Sequence, residues 1–232
     1  MKPLPWSFSS LDTFASCPKR YFEQYIAKSV KEQPTPEMAH GTWVHSQFEK
    51  YVESEGTAKL DPTLKVHEPY LQKLTTSYGK KFTELKWGLS RRLEPVNFYS
   101  PDVWARGIID YQRWYATKEP DGRMKESLKL VDYKTGKRHT KDKQLKLFAL
   151  YGFQTGAQLV DTEYYWTQDP SNPTRRVYSI AERDELWGSF LPDLRQYSES
   201  FKTNTWQARP NGLCNGWCPV TTCRHWGPKR VR

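Results

Sequence analysis

The sequence predicts an α/β fold in which a central mixed β-sheet is flanked by helices. Three observations carry this. Leu128–Lys137, read as LKLVDYKTGK, sets Leu128, Leu130, Asp132 and Lys134 on alternate positions, the period of a strand, before Thr135-Gly136 turns the chain. Three further stretches, Val103–Ala116, Leu159–Trp166 and Arg175–Ile180, also read as strands. Around them apolar residues recur at helical spacing, which is the pattern of helices layered on a sheet.

Taken in order, Ser9-Ser10-Leu11-Asp12 opens a helix with Leu11, Phe14, Tyr21, Phe22 and Tyr25 as its apolar stripe. Cys17-Pro18 interrupts it, and Pro18 starts a second segment. Pro34 and Pro36 mark a loop. A helix from about His40 to Glu53 follows and contains GTWVHSQFE. His45 and Glu49 are four apart and share a face, where both can reach one cation or the Glu can orient the His. In isolation such a pair is more often a surface pair. Leu71, Leu74, Tyr78 and Phe82 continue a helical period from Tyr70. Leu85, Trp87 and Leu89 alternate as an edge strand with Glu84 and Lys86 opposite; there Glu84 can approach the site, although a solvent-facing glutamate is the commoner case.

Val103–Ala116 carries Asp110. Pro120-Asp121-Gly122 turns this strand back into antiparallel pairing with Leu128–Lys134, a topology that sets Asp110 beside Asp132 and Lys134. Two converging carboxylates repel unless a cation lies between them. Carboxylates that hold a cation, next to a lysine that steers water or offsets developing charge, suit phosphodiester cleavage. Thr140–Gln154 reads as a helix with Gln144, Phe148 and Tyr151 on one face, and Gln144 can meet a substrate phosphate or the attacking water. Arg183–Phe201 reads as one long amphipathic helix with Leu186, Leu194, Tyr197 and Phe201 inward.

A length of 232 residues with no evident linker predicts one domain, 1–232. The net charge of +10 points to a polyanionic partner, and ten Trp and fourteen Tyr among the basic residues suit stacking on unpaired bases. No run of eighteen apolar residues exists, so no membrane helix is expected. MKPLPWSFSS lacks a signal-peptide core, which predicts a cytoplasmic protein. In that reducing compartment the four cysteines are expected as ligands or buried thiols. Cys214, Cys218 and Cys223 lie on one Gly- and Pro-containing loop, and Cys17 is the only other. Four thiolates suit an iron–sulfur cluster or zinc.

With these residues in view, the chain resembles the RecB-like branch of the PD-(D/E)XK nuclease superfamily. The likeness is above all to its iron–sulfur exonucleases: the CRISPR-adaptation nucleases, the nuclease domain of AddB-type helicases, and stand-alone phage or bacterial relatives. It spans nearly the whole chain. SFSSLDTFASCPKRYF is similar to the family's opening motif, GTWVHSQFE to the motif bearing a metal-binding His (His45), and RGIID to that bearing the first metal Asp (Asp110). VDYKTGK resembles the signature, with Asp132 as ligand and Lys134 as catalytic lysine, and QLKLFALY resembles the Gln-x-x-x-Tyr motif. Two departures stand out. The tail is Cys214-x3-Cys218-x4-Cys223 where the family carries Cys-x2-Cys-x5-Cys, and Phe148 stands where the Gln motif has Tyr, with Tyr151 one turn on as a substitute.

The resemblance implies a restriction-endonuclease-like sheet and a metal-dependent DNA nuclease, an exonuclease preferring single-stranded ends. Mg²⁺ or Mn²⁺ would be held by His45, Asp110, Asp132 and the Tyr133 carbonyl, with Lys134 and Gln144 serving the water. It also implies a 4Fe–4S cluster, with zinc as the alternative, on Cys17, Cys214, Cys218 and Cys223, stapling residues 205–232 to the opening helix. Replication or recombination proteins of a bacterium or a phage-infected cell would be its partners. The competing readings are a non-cleaving nucleic-acid-binding protein on the same scaffold and a zinc-stapled accessory protein.

Overall fold

A computed structural model describes residues 1–31 and 33–228. The chain forms two compact units, Thr35–Trp187 and the pair of terminal segments Met1–Pro34 and Gly188–Arg232. The N-terminal segment starts with α1 (Phe8–Ser16), capped by Ser7 and Ser10 in a reciprocal box. Cys17 breaks it in extended conformation, and Pro18 opens α2 (Pro18–Tyr21), which runs into a π-turn at Phe22–Ile26.

The unit from Thr35 to Trp187 begins with α3 (Pro36–Glu53). Thr35 caps it and Pro36 stands in its first turn, so it starts four residues before the expected His40. Val44, Phe48, Tyr51 and Val52 form its buried stripe. α4 (Glu68–Thr76) is shorter than the period from Tyr70 to Phe82 implied, because Gly79 at φ 129° turns the chain and Lys80 already pairs with Trp114. Tyr78 and Phe82 match helical spacing by coincidence, and Tyr78 is exposed.

The strands are β1 (Lys80–Leu89), β2 (Pro95–Val96), β3 (Ala105–Lys118), β4 (Met124–Lys134), β5 (Leu159–Trp166) and β6 (Thr174–Ser179). They form one mixed sheet in the order β2-β1-β3-β4-β5-β6. Only β4 and β5 are parallel, and α5 (Lys143–Gln154) is the crossover that parallel neighbours require. The expected edge strand β1 is covered only by β2, and only at Gly88↔Val96 and Leu89↔Pro95. On one face, Val44, Phe48, Tyr51, Leu71 and Leu74 pack on Tyr111, Val131, Tyr133 and Tyr165. The helix expected over Arg183–Phe201 is two, α6 (Arg183–Gly188) and α7 (Leu191–Thr203), because Gly188 weakens the run and Pro192 restarts it. Among the described residues no helix is long and apolar enough to cross a membrane.

In the terminal unit, α7 presents Leu194, Tyr197 and Phe201 to the interior. Tyr197 lies edge-on to Phe14 and Tyr21, at 5.2 and 5.4 Å between ring centres, and its hydroxyl is 2.7 Å from that of Tyr21. The first and last fifths of the chain therefore share one aromatic core.

Gly152 of α5 tests the packing of the crossover helix. A Cβ there would stand 2.7 Å from Val160 and 3.0 Å from Leu128. Helix propensity would favour Ala by about 1 kcal/mol, but forcing a methyl against a stiff, fully buried valine costs about 1–3 kcal/mol. Gly152→Ala should therefore lower the urea midpoint, by about 1 kcal/mol net. Gly188→Ala, where an added Cβ meets nothing, should leave it unchanged or raise it.

Candidate active site

The sheet is continuous except along one row. β3 and β4 pair from Lys118↔Met124 to Tyr111↔Val131 and no further, so the next opposed residues, Asp110 and Asp132, stand where the strands fork. β1 and β3 pair at Thr83↔Tyr111 and again at Leu85↔Ile109, but Glu84 and Asp110 between them are not joined. Glu84 has φ 44°, the only positive value at a non-glycine residue within a strand among the described residues. That conformation costs an L-residue on the order of 1–2 kcal/mol, so the surrounding ladder holds Glu84 against its local preference. Three carboxylates from neighbouring strands thus occupy one interrupted row.

Helix α3 brings His45 to this row. Its Nδ1 is 3.3 Å from Asp110 Oδ1, and its Nε2 is 2.9 Å from the Tyr133 carbonyl oxygen. A carbonyl only accepts, so Nε2 carries a hydrogen. The Tyr133 N–H donates to Asp110 Oδ2 at 2.6 Å, closing the fork from the β4 side. One ligand atom each of His45, Glu84 and Asp110 lies within 4.8 Å of the other two. Beside them is a closed polar ring. Lys134 Nζ is 2.6 Å from Asp132 Oδ2 and donates to Gln144 Oε1 at 2.9 Å, while Gln144 Nε2 donates to Asp132 Oδ1 at 2.7 Å. The Lys134 ammonium also sits 5.0 Å over the ring of Tyr164, the register partner of Asp132 on β5.

The row resists full ionisation. Burial, then the Asp110 and Glu49 charges, push Glu84 up to about 7. Burial lifts Asp132 to about 6 although Lys134 pulls the other way. Burial opposes protonation of His45, but the hydrogen bond and charge of Asp110 outweigh it and raise its pKa. Carboxylate and carbonyl oxygens with one imidazole are a donor set that fits a hard divalent cation.

Residues 5–223 match the sequence family described as the PD-(D/E)XK nuclease superfamily. The chain belongs to that superfamily. Among solved structures, an exonuclease candidate from Eubacterium rectale shares the fold at TM-score 0.51 and 11% identity, covering 92% of this chain and 86% of that one. The structure of SSO0001 aligns at TM-score 0.45 and 13% identity over 97% of this chain and 87% of that one. No curated protein sequence matches significantly.

Of the residues expected at the site, His45, Asp110 and the Tyr133 backbone are joined to one another, and Asp132, Lys134 and Gln144 form a second cluster; the group of close ligand atoms takes in Glu84 and does not include Asp132. Of the two readings of Glu84, the structure bears out the approach to the site. It is half-buried against Asp110 and His45, at the register position opposite Asp110 and with a left-handed backbone. Phe148 is buried, and Tyr151, the suggested hydroxyl substitute, stacks on Trp87 at 5.0 Å. The aromatic residue at the lysine is Tyr164, opposite Asp132 on β5 with its ring under the Lys134 ammonium. No motif marked it. Its signal was its place on the strand parallel to the one carrying Asp132.

In the terminal unit the four free cysteines, Cys17, Cys214, Cys218 and Cys223, line one pocket with Arg20, Leu213 and Trp226. The Arg209 backbone N–H points at Cys17 Sγ at 3.4 Å. Burial raises the Cys218 thiol, while the Val220 N–H and the Arg20 charge favour its thiolate.

A divalent cation at the carboxylate row has to displace the proton that Glu84 holds below about pH 7. Each proton displaced weakens binding about tenfold per pH unit. Calorimetric Mn²⁺ affinity should therefore fall steeply from pH 8 to pH 6, and Glu84→Gln should flatten the profile. An affinity that does not change over that range would remove Glu84 and His45 from the ligand set.

Proposed function

We propose that this superfamily member is a metal-dependent deoxyribonuclease, an exonuclease that prefers single-stranded ends. The observation that carries the reading is the closed Asp132–Lys134–Gln144 ring beside the Asp110–His45 pair. His45, Asp110, Asp132 and the Tyr133 carbonyl would hold Mg²⁺ or Mn²⁺, with Glu84 as an added oxygen donor. Such a cation, when bound, acidifies water and draws charge from the phosphoryl oxygens. Lys134 is the catalytic ammonium. Two of its three N–H groups are engaged by Asp132 and Gln144, which leaves one for the water or a phosphate oxygen. Gln144 is the brace that sets the lysine relative to Asp132. Both units act as one nuclease domain, working in a reducing bacterial or phage-infected cytoplasm alongside replication or recombination proteins.

The cavity lined by four thiols supports a second metal centre on Cys17, Cys214, Cys218 and Cys223. We read it as a 4Fe–4S cluster rather than zinc, from the likeness to cluster-bearing exonucleases and from the backbone N–H aimed at sulfur, which stabilises thiolates. Its role is structural, joining the α1–α2 junction to the C-terminal loop. A non-cleaving DNA-binding protein would have no use for the braced lysine.

Digestion of end-labelled single- and double-stranded DNA and of a closed circle, with Mg²⁺, Mn²⁺ or EDTA, tests the proposal. Asp110→Ala and Asp132→Ala should abolish cleavage and weaken Mn²⁺ binding. Lys134→Ala should cut turnover by roughly 10²–10³-fold or more with Mn²⁺ binding kept. Wild-type rates in these variants, or a circle cut as fast as a free end, would defeat the assignment. Separately, anaerobically purified protein should absorb in the visible, and Cys17→Ser should bleach it and lower the melting temperature. A colourless protein with stoichiometric zinc would replace the cluster by zinc.

A further inference from the structure

We propose that Tyr99, with Phe98, Lys86, Arg106 and Ile108, is a stacking platform for an unpaired nucleotide strand approaching the carboxylate row. The inference rests on the nuclease reading and gives its single-strand preference a place. The register supplies the path. Beyond Glu84 and Asp110 the ladder runs Leu85↔Ile109, then Lys86↔Ile108, and two residues further lies Gly88↔Arg106. Each step of two residues covers roughly 6.5–7 Å of strand. Gly88 has no side chain, so on that row only Arg106 projects.

The turn before β3 delivers aromatic rings to these rows. Asn97 Oδ1 accepts the Tyr99 N–H at 2.9 Å, and the Asn97 carbonyl accepts the Ser100 N–H at 2.9 Å. The Arg106 guanidinium lies 4.8 Å over the Phe98 ring, and Phe98 and Tyr99 meet edge to face at 4.9 Å. Lys86 Nζ donates to the Tyr99 hydroxyl at 3.1 Å and stands 5.5 Å from its ring centre. All this ordering leaves Tyr99 69% exposed, with Ile108 beside Lys86 41% exposed. A single exposed aromatic is commonplace. A tyrosine fixed at its backbone, its edge and its hydroxyl, yet open to solvent, with Lys86 against it and Arg106 on the adjoining Phe98, has the properties of a base-stacking surface. Residues 86–106 hold Lys86, Arg91, Arg92 and Arg106 against Glu94 and Asp102, a net positive stretch that suits phosphates. Stacking needs an unpaired base, because duplex bases already stack on one another, so the surface discriminates between the two substrates.

The test is fluorescence anisotropy of the full chain in EDTA with a labelled oligothymidine and with a blunt duplex. Tyr99→Ala should weaken oligothymidine binding roughly tenfold and leave duplex binding alone. Tyr99→Phe should bind as wild type, since the ring is kept. Lys86→Ala should lower the salt slope of single-strand binding by about 0.7. Unchanged oligothymidine affinity in Tyr99→Ala, or equal losses on both substrates, overturns the platform. Wild-type cleavage in Mn²⁺ is scored separately. A protein that cuts while Tyr99→Ala binds normally keeps the nuclease and loses the platform. One that binds oligothymidine through Tyr99 yet never cuts keeps the platform and loses the nuclease.

Discussion

The structure turns on electrostatic repulsion. Glu84, Asp110 and Asp132 are crowded into one half-buried row, and a low-dielectric site does not tolerate three bare carboxylates. Each is answered by a group the fold brings in. Lys134 and Gln144 take Asp132, the Tyr133 N–H and His45 take Asp110, and a proton is favoured on Glu84. A carboxyl whose pKa is higher folded than unfolded holds its proton more tightly in the native state. The stability that this proton contributes is fully present below the unfolded value, falls as pH rises between the two values, and is gone above the folded value. Around neutrality the metal-free row is therefore a destabilised feature, which a cation relieves.

The fork makes the crowding possible. A regular antiparallel ladder would spend the backbone groups at Asp110 and Asp132 on each other. Here β3 turns to β1 and β4 to β5, and the gap between them lets the Tyr133 N–H serve a carboxylate and its carbonyl face His45. The site is thus built of backbone as much as of side chains, carried on three neighbouring strands and two helices instead of on loops.

Much of this could be read from the residues. The alternation around Asp132 and Lys134 and the turn at Pro120-Asp121-Gly122 led to the sheet, the hairpin and the placing of Asp110 opposite Asp132. The resemblance to the nuclease family, and not the spacing in α3, led to His45. What escaped had tertiary causes. Glu84 could be read either toward the site or toward solvent, because Glu is not a residue type that announces the left-handed backbone it adopts here. Tyr164 escaped because parallel pairing is set by the crossover helix and not by any local pattern. The break at Gly188 escaped because the amphipathic period continues across it while Pro192 does not allow one helix.

The division of the chain has a consequence for synthesis. The unit bearing the carboxylate row is a single uninterrupted stretch, Thr35–Trp187, whereas the unit bearing the cysteines needs both segments that flank it. A chain emerging from the ribosome folds in the order its pieces become complete. The carboxylate row can assemble while translation is still under way, but roughly two hundred further residues separate Cys17 from the last of the cysteines that line its pocket. Oxidation or capture of that lone thiol during the interval is a hazard that falls on the nascent protein and precedes the folding of its own unit.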